Sequence, residues 1–429
     1  MPVYGMVQER SESIEIITEP GLMAARMRKI AVIFEENIFD RKGAFNAKCA
    51  RVKCLADLTG WKIDVFCVQL YQDAFVSSVL GHRCLDIPGE GKVSEKQLRK
   101  RDSVTLNGIR MNLVWKNYSI LDHLLFYKLH LRPIHYPRFL RKNVDLLKEY
   151  DVVAAHSFVG GFLALEAKRK YGIPFYITWH GSDIHTTPFK HSQIKDMTAE
   201  LIREAGMNCF VSHDLMVRSD EIGPGSKTVL YNGRDGMFFR YDDAKRLELR
   251  RKYNVDGKKV VTYAGNMLPV KNVGSLPEIF HKVRERFDGK VDFWVVGDGG
   301  LRAHVEKEMK ADGSLSCRFW GNMPPEMMPV IFNCTDVLVL PSRNEGLPLV
   351  VVEAAGCGAK VVASRVGGVP EVLNPAFTVA LGDGFSDRMA EKIGECLAGA
   401  PQAIDLTRFD WRCTARQEKA VIDKILADD

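Results

Sequence analysis

A chain of 429 residues exceeds the roughly 250 to 300 residues at which a single hydrophobic core stops growing, so we expect two domains. Apolar residues make up 46% and charged residues 27% of the chain, the balance of a globular protein and not of a disordered or membrane-embedded one. A net charge of +6 is mild for this length and predicts no nucleic-acid partner. No stretch approaches the roughly 18 consecutive apolar residues of a membrane-spanning helix, so we expect the protein in the cytoplasm.

The ten cysteines are scattered along the chain, with no C-x-x-C pair and no regular spacing. This distribution is typical of small buried side chains in a reducing compartment. It predicts neither a disulfide framework nor a zinc site. We expect the protein to bind no metal.

The chain opens with residues 1–26, which contain four glutamates and no clear amphipathic period, so we expect a disordered leader. From residue 27 onward, short apolar runs alternate with helical patterns, as in a parallel sheet covered on both faces. The first predicted strands cover residues 29–34, 63–68, 151–155, 175–178 and 208–211, with helices predicted at 44–59 and 160–171.

The alternation begins again after a turn-rich stretch at 223–237, which contains GPG and NG. Here the predicted strands cover 260–264, 291–296, 336–340 and 360–363, and the predicted helices cover 274–287 and 301–310. The sequence therefore predicts an α/β fold of two doubly wound Rossmann-like domains, at residues 27–230 and 231–410, with ligands in the crevice at the carboxyl ends of the strands. A last helix at 411–429 is expected to pack back on the first domain.

The densest motif is PSRNEGLPLVVVEAAGCG at residues 341–358, which directly follows a predicted strand. If a helix begins near Gly346, its free backbone N–H groups point into the crevice and can hold a phosphate or a polar sugar. Glu345 then lies at the mouth of the crevice, and Glu353 reaches the hydroxyls of a ribose. Alternatively, both are ordinary acids on a solvated helix. Glu353 lies in the apolar run 349–355, where an unpaired carboxylate is costly, and this favours function.

A second motif, YAGNMLPVKN at residues 263–272, follows the strand that opens the second domain. Lys271 stands just ahead of a helix there, in position to meet the charge of a diphosphate. The alternative is a solvated lysine without a role, but its place on the first strand-to-helix loop of a nucleotide-type domain favours function. VVGDGG at 295–300 is a weak signal, since it matches no complete dinucleotide fingerprint.

Three strand ends of the first domain carry candidate residues. Gly43, in FDRKGAF, has no side chain to keep a diphosphate from the backbone, although a glycine that only makes the turn explains the motif equally well. His180 and Asp183, in ITWHGSD, follow one strand, and His156, in AAHS, follows the preceding one. A single histidine is more often structural, but two at neighbouring strand ends favour use, His180 more than His156. We assign His156 and Asp183 to the acceptor side.

The segment YKLHLRPIHYPRFLRKN at residues 127–143 combines five Lys or Arg, two His and several aromatic residues with no acid. This composition suits an anionic membrane surface or a lipid-linked acceptor, and it would place the protein peripherally at the inner face of the membrane. An ordinary solvated helix that packs its aromatic side on the core explains it equally well. The two prolines argue against a single clean helix.

Taken together, these motifs resemble those of glycosyltransferase family 4, whose members adopt the GT-B fold, in which two Rossmann-like domains face each other across a deep cleft. The resemblance runs from about residue 29 to the C-terminus. In the second domain it is carried by GNMLPVKN, VVGDGG, FWGNMP and PSRNEGLPLVVVEAAGCGAKVVASRVGGVPEV, and in the first by TWHGSD and LYNGRDGMFF. It implies a retaining enzyme that uses a nucleotide sugar, a UDP-sugar ahead of a GDP-sugar, with no other cofactor required.

The resemblance implies three catalytic residues. Lys271 would neutralise the leaving diphosphate, His180 would lie beside the transferred sugar, and Glu345 would hold hydroxyls of that sugar. The implied chemistry is front-face transfer, in which Lys271 and a helix N-terminus stabilise the charge growing on the diphosphate and a departing phosphate oxygen accepts the acceptor's proton. Closure of the domains would exclude water.

The resemblance also implies a donor-binding set, with Glu353 on the ribose and the main chain of Met323 at the base. One departure stands out: many members carry an arginine where this chain has Asn266, so the diphosphate would lose one of two cationic partners. The first-domain loop also has one glycine where the pattern often has a pair. The full set is Gly43, Asn266, Lys271, Met323, Glu345, Gly346, Leu347, Pro348 and Glu353.

The resemblance implies a retaining glycosyltransferase of the hexosyltransferase type. It would move a sugar from a nucleotide sugar to a glycan or lipid-linked glycan in bacterial surface polysaccharide synthesis. Two alternatives stay open: a sugar-nucleotide epimerase of the same fold, and a non-catalytic nucleotide-sugar-binding protein, which only Asn266 and the single-glycine loop favour. We find no pyridoxal-binding lysine motif of a phosphorylase and no G-x-G-x-x-G of a nicotinamide oxidoreductase.

Overall fold

The computed structural model of the protein describes residues 27–39, 43–71, 83–117, 135–287, 291–311, 313 and 315–428. The leader predicted at 1–26 lies outside the described residues, as does the part of the basic aromatic segment before residue 135. Within the described part of the chain, no helix combines the length and the apolar character needed to cross a membrane.

The first half of the chain alternates strands with helices. Its strands are β1 (Lys29–Glu35), β2 (Lys62–Tyr71), β3 (Cys84–Ile87), β4 (Gly91–Ser94), β5 (Ser103–Leu106), β6 (Ile109–Asn117), β7 (Val152–His156), β8 (Phe175–Trp179), β9 (Met207–Phe210) and β10 (Lys227–Val229). Its helices are α1 (Gly43–Thr59), α2 (Glu95–Leu98), α3 (His135–Asn143), α4 (Ser157–Tyr171), α5 (Ser182–His185), α6 (Ser192–Glu204) and α7 (His213–Arg218). Central strands such as β7 are buried along their whole length, because helices cover the sheet on both faces.

One edge of the first sheet is antiparallel. The strand order is β10-β9-β8-β7-β1-β2-β6-β5, and β5 pairs antiparallel with β6. The turn between them has positive φ at Asn107 (49°) and Gly108 (71°), the backbone that Asn-Gly hairpins adopt. β3 and β4 form a separate antiparallel pair. The sheet differs from the predicted parallel one at this edge because the Asn-Gly turn favours a hairpin over a helical crossover.

The second half of the chain repeats the alternation. Its strands are β11 (Lys259–Ala264), β12 (Val291–Val296), β13 (Cys317–Gly321), β14 (Val337–Leu340), β15 (Lys360–Ser364) and β16 (Thr378–Val379). Its helices are α8 (Asp243–Lys252), α9 (Leu276–Arg286), α10 (Arg302–Ala311), α11 (Met328–Cys334), α12 (Leu349–Gly356), α13 (Phe385–Leu397) and α14 (Trp411–Asp428). The six strands pair in parallel in the order β13-β12-β11-β14-β15-β16.

In both sheets the strand order reverses beside the first strand of the domain. β1 lies between β2 and β7, and β11 lies between β12 and β14. The helices that follow these strands therefore lead to opposite faces of the sheet. They leave a crevice at the carboxyl ends of the strands, where doubly wound proteins bind their ligands. The two sheets confirm the predicted α/β class.

The last helix, α14, packs against α1 of the first domain. Arg51 on α1 donates two hydrogen bonds of 2.8 Å, from Nε and Nη2, to the carboxylate of Glu418 on α14. Tyr176 on β8 donates a third, of 2.6 Å, to the same carboxylate. The Arg51 and Glu418 side chains are only 2% and 4% exposed, so this ion pair fixes α14 on α1 from within the core.

The ten cysteines are free thiols. Six of them are buried, as expected for small apolar side chains. Cys84 is exposed, which differs from the expectation that the cysteines are buried. Its strand, β3, belongs to the separate two-stranded sheet, where alternate side chains face solvent.

Candidate functional site

A cavity of about 370 Å³ lies between the two domains. The start of α1 and the start of α14 line it on one side, and the loops after β11 and β12 and the start of α12 line it on the other. Four of the predicted donor-binding residues lie on its wall: Gly43, Asn266, Met323 and Glu353. The sequence analysis missed Asn46, Asp235 and Trp411, which also line the cavity.

Gly43 is the first residue of α1, and it lies at the cavity wall. A side chain built on it would meet no protein atom within 4 Å, so the space beside it belongs to the cavity. The N–H groups in the first turn of a helix have no partner within the helix. The start of α1 can therefore hold an anion that approaches Gly43 closely.

Glu353, on the second turn of α12, is the acid of the cavity with the most perturbed ionisation. Burial, and to a smaller extent the nearby charge of Asp235, raise the pKa of this carboxyl to about 7, against the opposing effect of Arg234. None of the described residues forms a hydrogen bond with the carboxyl group of Glu353, which is half-buried. A half-buried acid without a protein partner at a cavity wall is suited to bind hydroxyl groups of a ligand.

The helix after PSRNEG begins at Leu349 and not near Gly346 as expected. Pro348 occupies the N-cap with φ −78° and ψ 93°, outside the helical region, and proline has no N–H to donate. Leu349 and Val350 supply the first N–H groups of α12, and both residues line the cavity. Gly346, Leu347 and Pro348 therefore form the loop ahead of the helix, and the N-terminal donors lie later in the chain than predicted.

Lys271 and Glu345 form an ion pair at the edge of the second domain. The Lys271 Nζ atom lies 2.7 and 2.9 Å from the two carboxylate oxygens of Glu345. Ser342 donates a further hydrogen bond of 2.6 Å to the Glu345 carboxylate, and Glu345 is only 8% exposed. The carboxylate thus holds the Lys271 ammonium in place, in a 3-10 turn at Pro269–Lys271.

Gly346 is the point at which this ion pair meets the first domain. A Cβ atom on Gly346 would lie 2.1 Å from the carbonyl oxygen of His180 and 3.4 Å from the Cα of Gly181. The carbonyl of Gly346 accepts a hydrogen bond of 3.0 Å from the N–H of Gly368. Only a residue without a side chain fits between these backbones, so glycine lets the Glu345 loop touch the His180 loop.

His180 lies in the tight turn after β8, and Asp183 lies in the short helix α5 that follows this turn. The Asp183 carboxylate accepts hydrogen bonds from the backbone N–H groups of His180, at 3.0 Å, and Gly181, at 2.7 Å. Asp183 therefore shapes the loop that presents His180 to the second domain. Burial raises the pKa of Asp183, and these two hydrogen bonds counteract the rise.

His156, at the end of β7, contacts His180 directly. The Nδ1 atom of His156 lies 2.9 Å from Nε2 of His180, and the two ring planes are tilted by 19° with centroids 5.2 Å apart. His156 is 1% exposed, so its side chain has no surface to offer an acceptor in this arrangement of the domains. Burial holds the pKa of both histidines well below the usual value, which keeps both rings neutral at neutral pH.

The predicted residues thus form two adjoining groups. Those that line the cavity are Gly43, Asn266, Met323 and Glu353. The others meet at the contact between the domains, where Lys271 and Glu345 adjoin His180 through Gly346. Among the residues that the structure describes, no three His, Cys, Asp or Glu side chains form a group able to hold a metal ion.

Two family models match the chain. The model described as "Glycosyltransferase Family 4" matches residues 110–235, and the model described as "Glycosyl transferases group 1" matches residues 258–399. Together they cover more than half of the chain, one in each domain. The chain belongs to glycosyltransferase family 4, as the motifs predicted.

Curated relatives are similar over part of their length. The D-inositol 3-phosphate glycosyltransferase of Segniliparus rotundus is 25% identical over 62% of this chain and 64% of that protein. The GDP-mannose-dependent alpha-(1-6)-phosphatidylinositol monomannoside mannosyltransferase of Mycobacterium tuberculosis is 29% identical over 40% of this chain and 47% of that protein. The matches thus span less than two thirds of the length of these relatives.

Solved structures share the fold across nearly the whole chain. Anabaena HepE in complex with UDP and glucose has a TM-score of 0.63 and 18% identity, over 94% of this chain and 98% of that one. Sucrose-phosphate synthase from Thermosynechococcus elongatus has a TM-score of 0.70 and 16% identity, over 94% of this chain and 100% of that one. The GT-B fold that the resemblance implied is confirmed.

Proposed function

We propose that the protein transfers a sugar, with retention of anomeric configuration, from a nucleotide sugar to a glycan or lipid-linked glycan in the synthesis of a bacterial surface polysaccharide. The observation that carries this proposal is the interdomain cavity, in which the carboxyl group of Glu353 has no protein partner. The Lys271–Glu345 pair of the second domain, which lies outside the lining of the cavity, meets His180 of the first domain through Gly346. Family membership and the named relatives support the same class of reaction.

The donor is proposed to lie along the wall of the cavity with its ribose at Glu353. The base would contact the main chain near Met323, which lines the cavity at the loop after β13. The diphosphate would lie between the N-termini of α1 and α12, whose N–H groups favour anions. The sugar would then extend toward the contact between Gly346 and His180.

The proposed reaction exchanges one bond at the anomeric carbon for another. The bond from that carbon to the diphosphate oxygen breaks as the bond to the acceptor oxygen forms on the same face, and the departing phosphate oxygen takes the acceptor's proton. Lys271 stabilises the negative charge that develops on the diphosphate. Glu345 accepts hydrogen bonds from sugar hydroxyls, and the neutral His180 ring offers one donor or acceptor to the sugar.

Donor choice is proposed to lie between UDP-sugars and GDP-sugars. The Mycobacterium tuberculosis relative is named as GDP-mannose-dependent, and Anabaena HepE was solved with UDP and glucose. Isothermal titration with UDP-glucose, UDP-galactose, GDP-mannose and ADP-glucose identifies the base and sugar. Glu353→Ala should abolish most of the binding, while Glu308→Gln, on the exposed face of α10, serves as the control and should change nothing.

Turnover separates the transferase from a non-catalytic binding protein. With the donor that binds and a bacterial lipid and glycan extract as acceptor, the wild type should release nucleoside diphosphate and label the acceptor. Lys271→Met should reduce this rate by on the order of 100-fold, because it removes a charge aimed at the leaving group. Binding without release of nucleoside diphosphate under any acceptor would contradict the proposal, and a product with inverted anomeric configuration by NMR would contradict retention.

Membrane contact through the basic segment is a further part of the proposal. Its described portion, α3, buries Phe139 and Leu140 and exposes Arg138, Arg141 and Lys142. Lys128 and Arg132 of the same segment lie outside the described residues. Exposed cations beside an apolar core favour anionic lipid surfaces, so the protein should sediment with vesicles that contain phosphatidylglycerol more than with phosphatidylcholine alone.

The control for this experiment is a second set of exposed cations. Arg138→Gln, Arg141→Gln and Lys142→Gln together should abolish sedimentation with anionic vesicles. The matched set on α8, Lys245→Gln, Arg251→Gln and Lys252→Gln, removes the same charge and should leave it intact. Equal loss in both variants would show that net charge, and not α3, causes the binding.

A further inference from the structure

We infer that His156 is a positioning residue for His180: through its Nδ1 atom it fixes the orientation and the tautomer of the His180 ring in the cleft. This inference rests on the proposed function, since it assigns a role within the same site. It differs from the sequence-based assignment, which placed His156 on the acceptor side. The experiments below distinguish a failure of this inference from a failure of the proposed function.

The two histidines are brought together by the register of neighbouring strands. His156 pairs with Thr178 across β7 and β8, and His180 follows Thr178 by two residues, so both side chains point to the same face. Nδ1 of His156 and Nε2 of His180 are 2.9 Å apart, a normal hydrogen-bond length. The ring planes are tilted by only 19° to each other, with centroids 5.2 Å apart, so the rings lie end to end, as an in-plane hydrogen bond between two ring nitrogens requires.

The surroundings of His156 hold it in one position. The ring is 1% exposed and packs against the edge of Phe34, with centroids 5.4 Å apart and an angle of 85° between the rings. The next residue, Ser157, has φ 65°, in the left-handed region that residues with side chains rarely adopt. Such strained backbone persists where the surrounding structure fixes it, and it is common at functional sites.

The hydrogen bond between the two histidines determines which nitrogen of the His180 ring carries the proton. Two neutral imidazoles that share one hydrogen bond need one N–H donor and one lone-pair acceptor. His180 therefore commits its Nε2 atom to His156, and its Nδ1 atom takes the opposite state. Because Nδ1 is the remaining polar atom of the His180 ring, the tautomer that the hydrogen-bonded pair adopts decides whether this ring donates to a sugar hydroxyl or accepts from it.

Two separate substitutions of His156, by asparagine and by glutamine, test the role of its Nδ1 atom. The amide of asparagine reaches about as far as Nδ1 of histidine, whereas that of glutamine reaches about as far as Nε2. His156→Asn should therefore keep the bond to His180 and most of kcat. His156→Gln should lower kcat by on the order of 100-fold, the effect of misplacing a reacting group by about 1 Å, while the KM for the donor changes by less than about threefold.

NMR of the imidazole nitrogens provides a readout that packing alone would not move. In the wild type and in His156→Asn, the His180 ring should show one neutral tautomer, and in His156→Gln a mixture of two. Equal losses of kcat in both variants with unchanged His180 signals would overturn the inference and leave His156 a packing role. If the wild type binds no nucleotide sugar, the proposed function fails, while the tautomer of His180 still tests the inference.

Discussion

The ionisation of Glu353 is expected to control the affinity of the cavity for a nucleotide sugar. Burial raises the pKa of this carboxyl to about 7 in the free protein, so it is largely protonated in slightly acidic solution. Ribose hydroxyls bind an ionised carboxylate more strongly than a neutral acid. The bound state therefore favours the ionised form, and binding lowers the pKa of Glu353. Affinity should rise as pH increases toward and through about 7 and level off above it.

The size of this pH dependence follows from the charge of the Glu353 carboxylate, which accepts the hydrogen bonds from the ribose. Hydrogen bonds to charged groups contribute about 1.5 to 3 kcal/mol, and each 1.4 kcal/mol changes Kd about tenfold. We expect Kd to fall by about 10- to 30-fold between roughly pH 5.5 and pH 8.5, because a pKa of about 7 leaves only about 3% of the free carboxyl ionised at the lower pH, and this limits the change. At about half a pH unit below a pKa of about 7, about three quarters of the free protein is protonated, and binding should release about that fraction of a proton.

Isothermal titration in buffers of different ionisation enthalpy counts the released protons directly. The ligand should be an intact nucleotide sugar, because the terminal phosphate of a free nucleoside diphosphate itself titrates near pH 6. Glu353→Gln keeps a neutral hydrogen-bonding group and should bind with an affinity that does not depend on pH. Proton release that persists in Glu353→Gln, or a wild-type affinity that stays constant from about pH 6 to pH 8, would refute the reasoning.

Three further substitutions test other contacts of the site. Glu418→Ala should destabilise the first domain by about 3 to 5 kcal/mol in urea unfolding, because it leaves Arg51 buried without a counter-charge. The double variant Arg51→Met with Glu418→Leu should recover most of this loss. A loss below about 1 kcal/mol in Glu418→Ala would contradict the prediction. Gly346→Ala should separate the domains, because the added Cβ would lie 2.1 Å from the His180 carbonyl oxygen. X-ray scattering should then show a larger radius of gyration. Unchanged scattering with full activity would argue against a direct contact between Gly346 and His180. Glu371→Ala removes hydrogen bonds of 2.8 and 3.0 Å to the backbone at the start of α7 and should weaken donor binding by about tenfold, whereas unchanged affinity would show that this contact has no part in closure.

Much of the fold could be predicted because its signals are local. The run at 291–296, which is apolar except for Asp292, coincides with β12, since a strand buried on both faces shows as a nearly continuous run of apolar residues. The start of α12 was predicted too early because the glycine at 346 resembles a helix start, while Pro348 sets the N-cap. The pairing of Arg51 with Glu418 could not be predicted, because it joins residues 367 positions apart through the packing of two helices.

In the candidate site, too, local sequence patterns identify single residues, whereas the contacts between those residues depend on the three-dimensional fold. Glu353 could be singled out because a carboxylate in an apolar run is costly without a partner. His156 and His180 could be placed together because they follow strands predicted to be neighbours. Their direct hydrogen bond depends on the register of β7 and β8 and on the turn that follows β8, and the pairing of Lys271 with Glu345 depends on how two loops fold. No local sequence pattern records these features.

The ion pair between Lys271 and Glu345 also bears on how the proposed donor would be selected. In the described structure each charge satisfies the other at 2.7 Å, so a ligand that takes up one of them must compensate the other. An inorganic phosphate or a nucleoside diphosphate offers an anion to Lys271 and leaves the nearly buried Glu345 without a cationic partner. A nucleotide sugar offers its diphosphate to Lys271 and its sugar hydroxyls to Glu345 at the same time. If the donor binds as proposed, pairing the two side chains in the free protein would favour the intact donor over its fragments, and it would ease release of the nucleoside diphosphate once the sugar has been transferred.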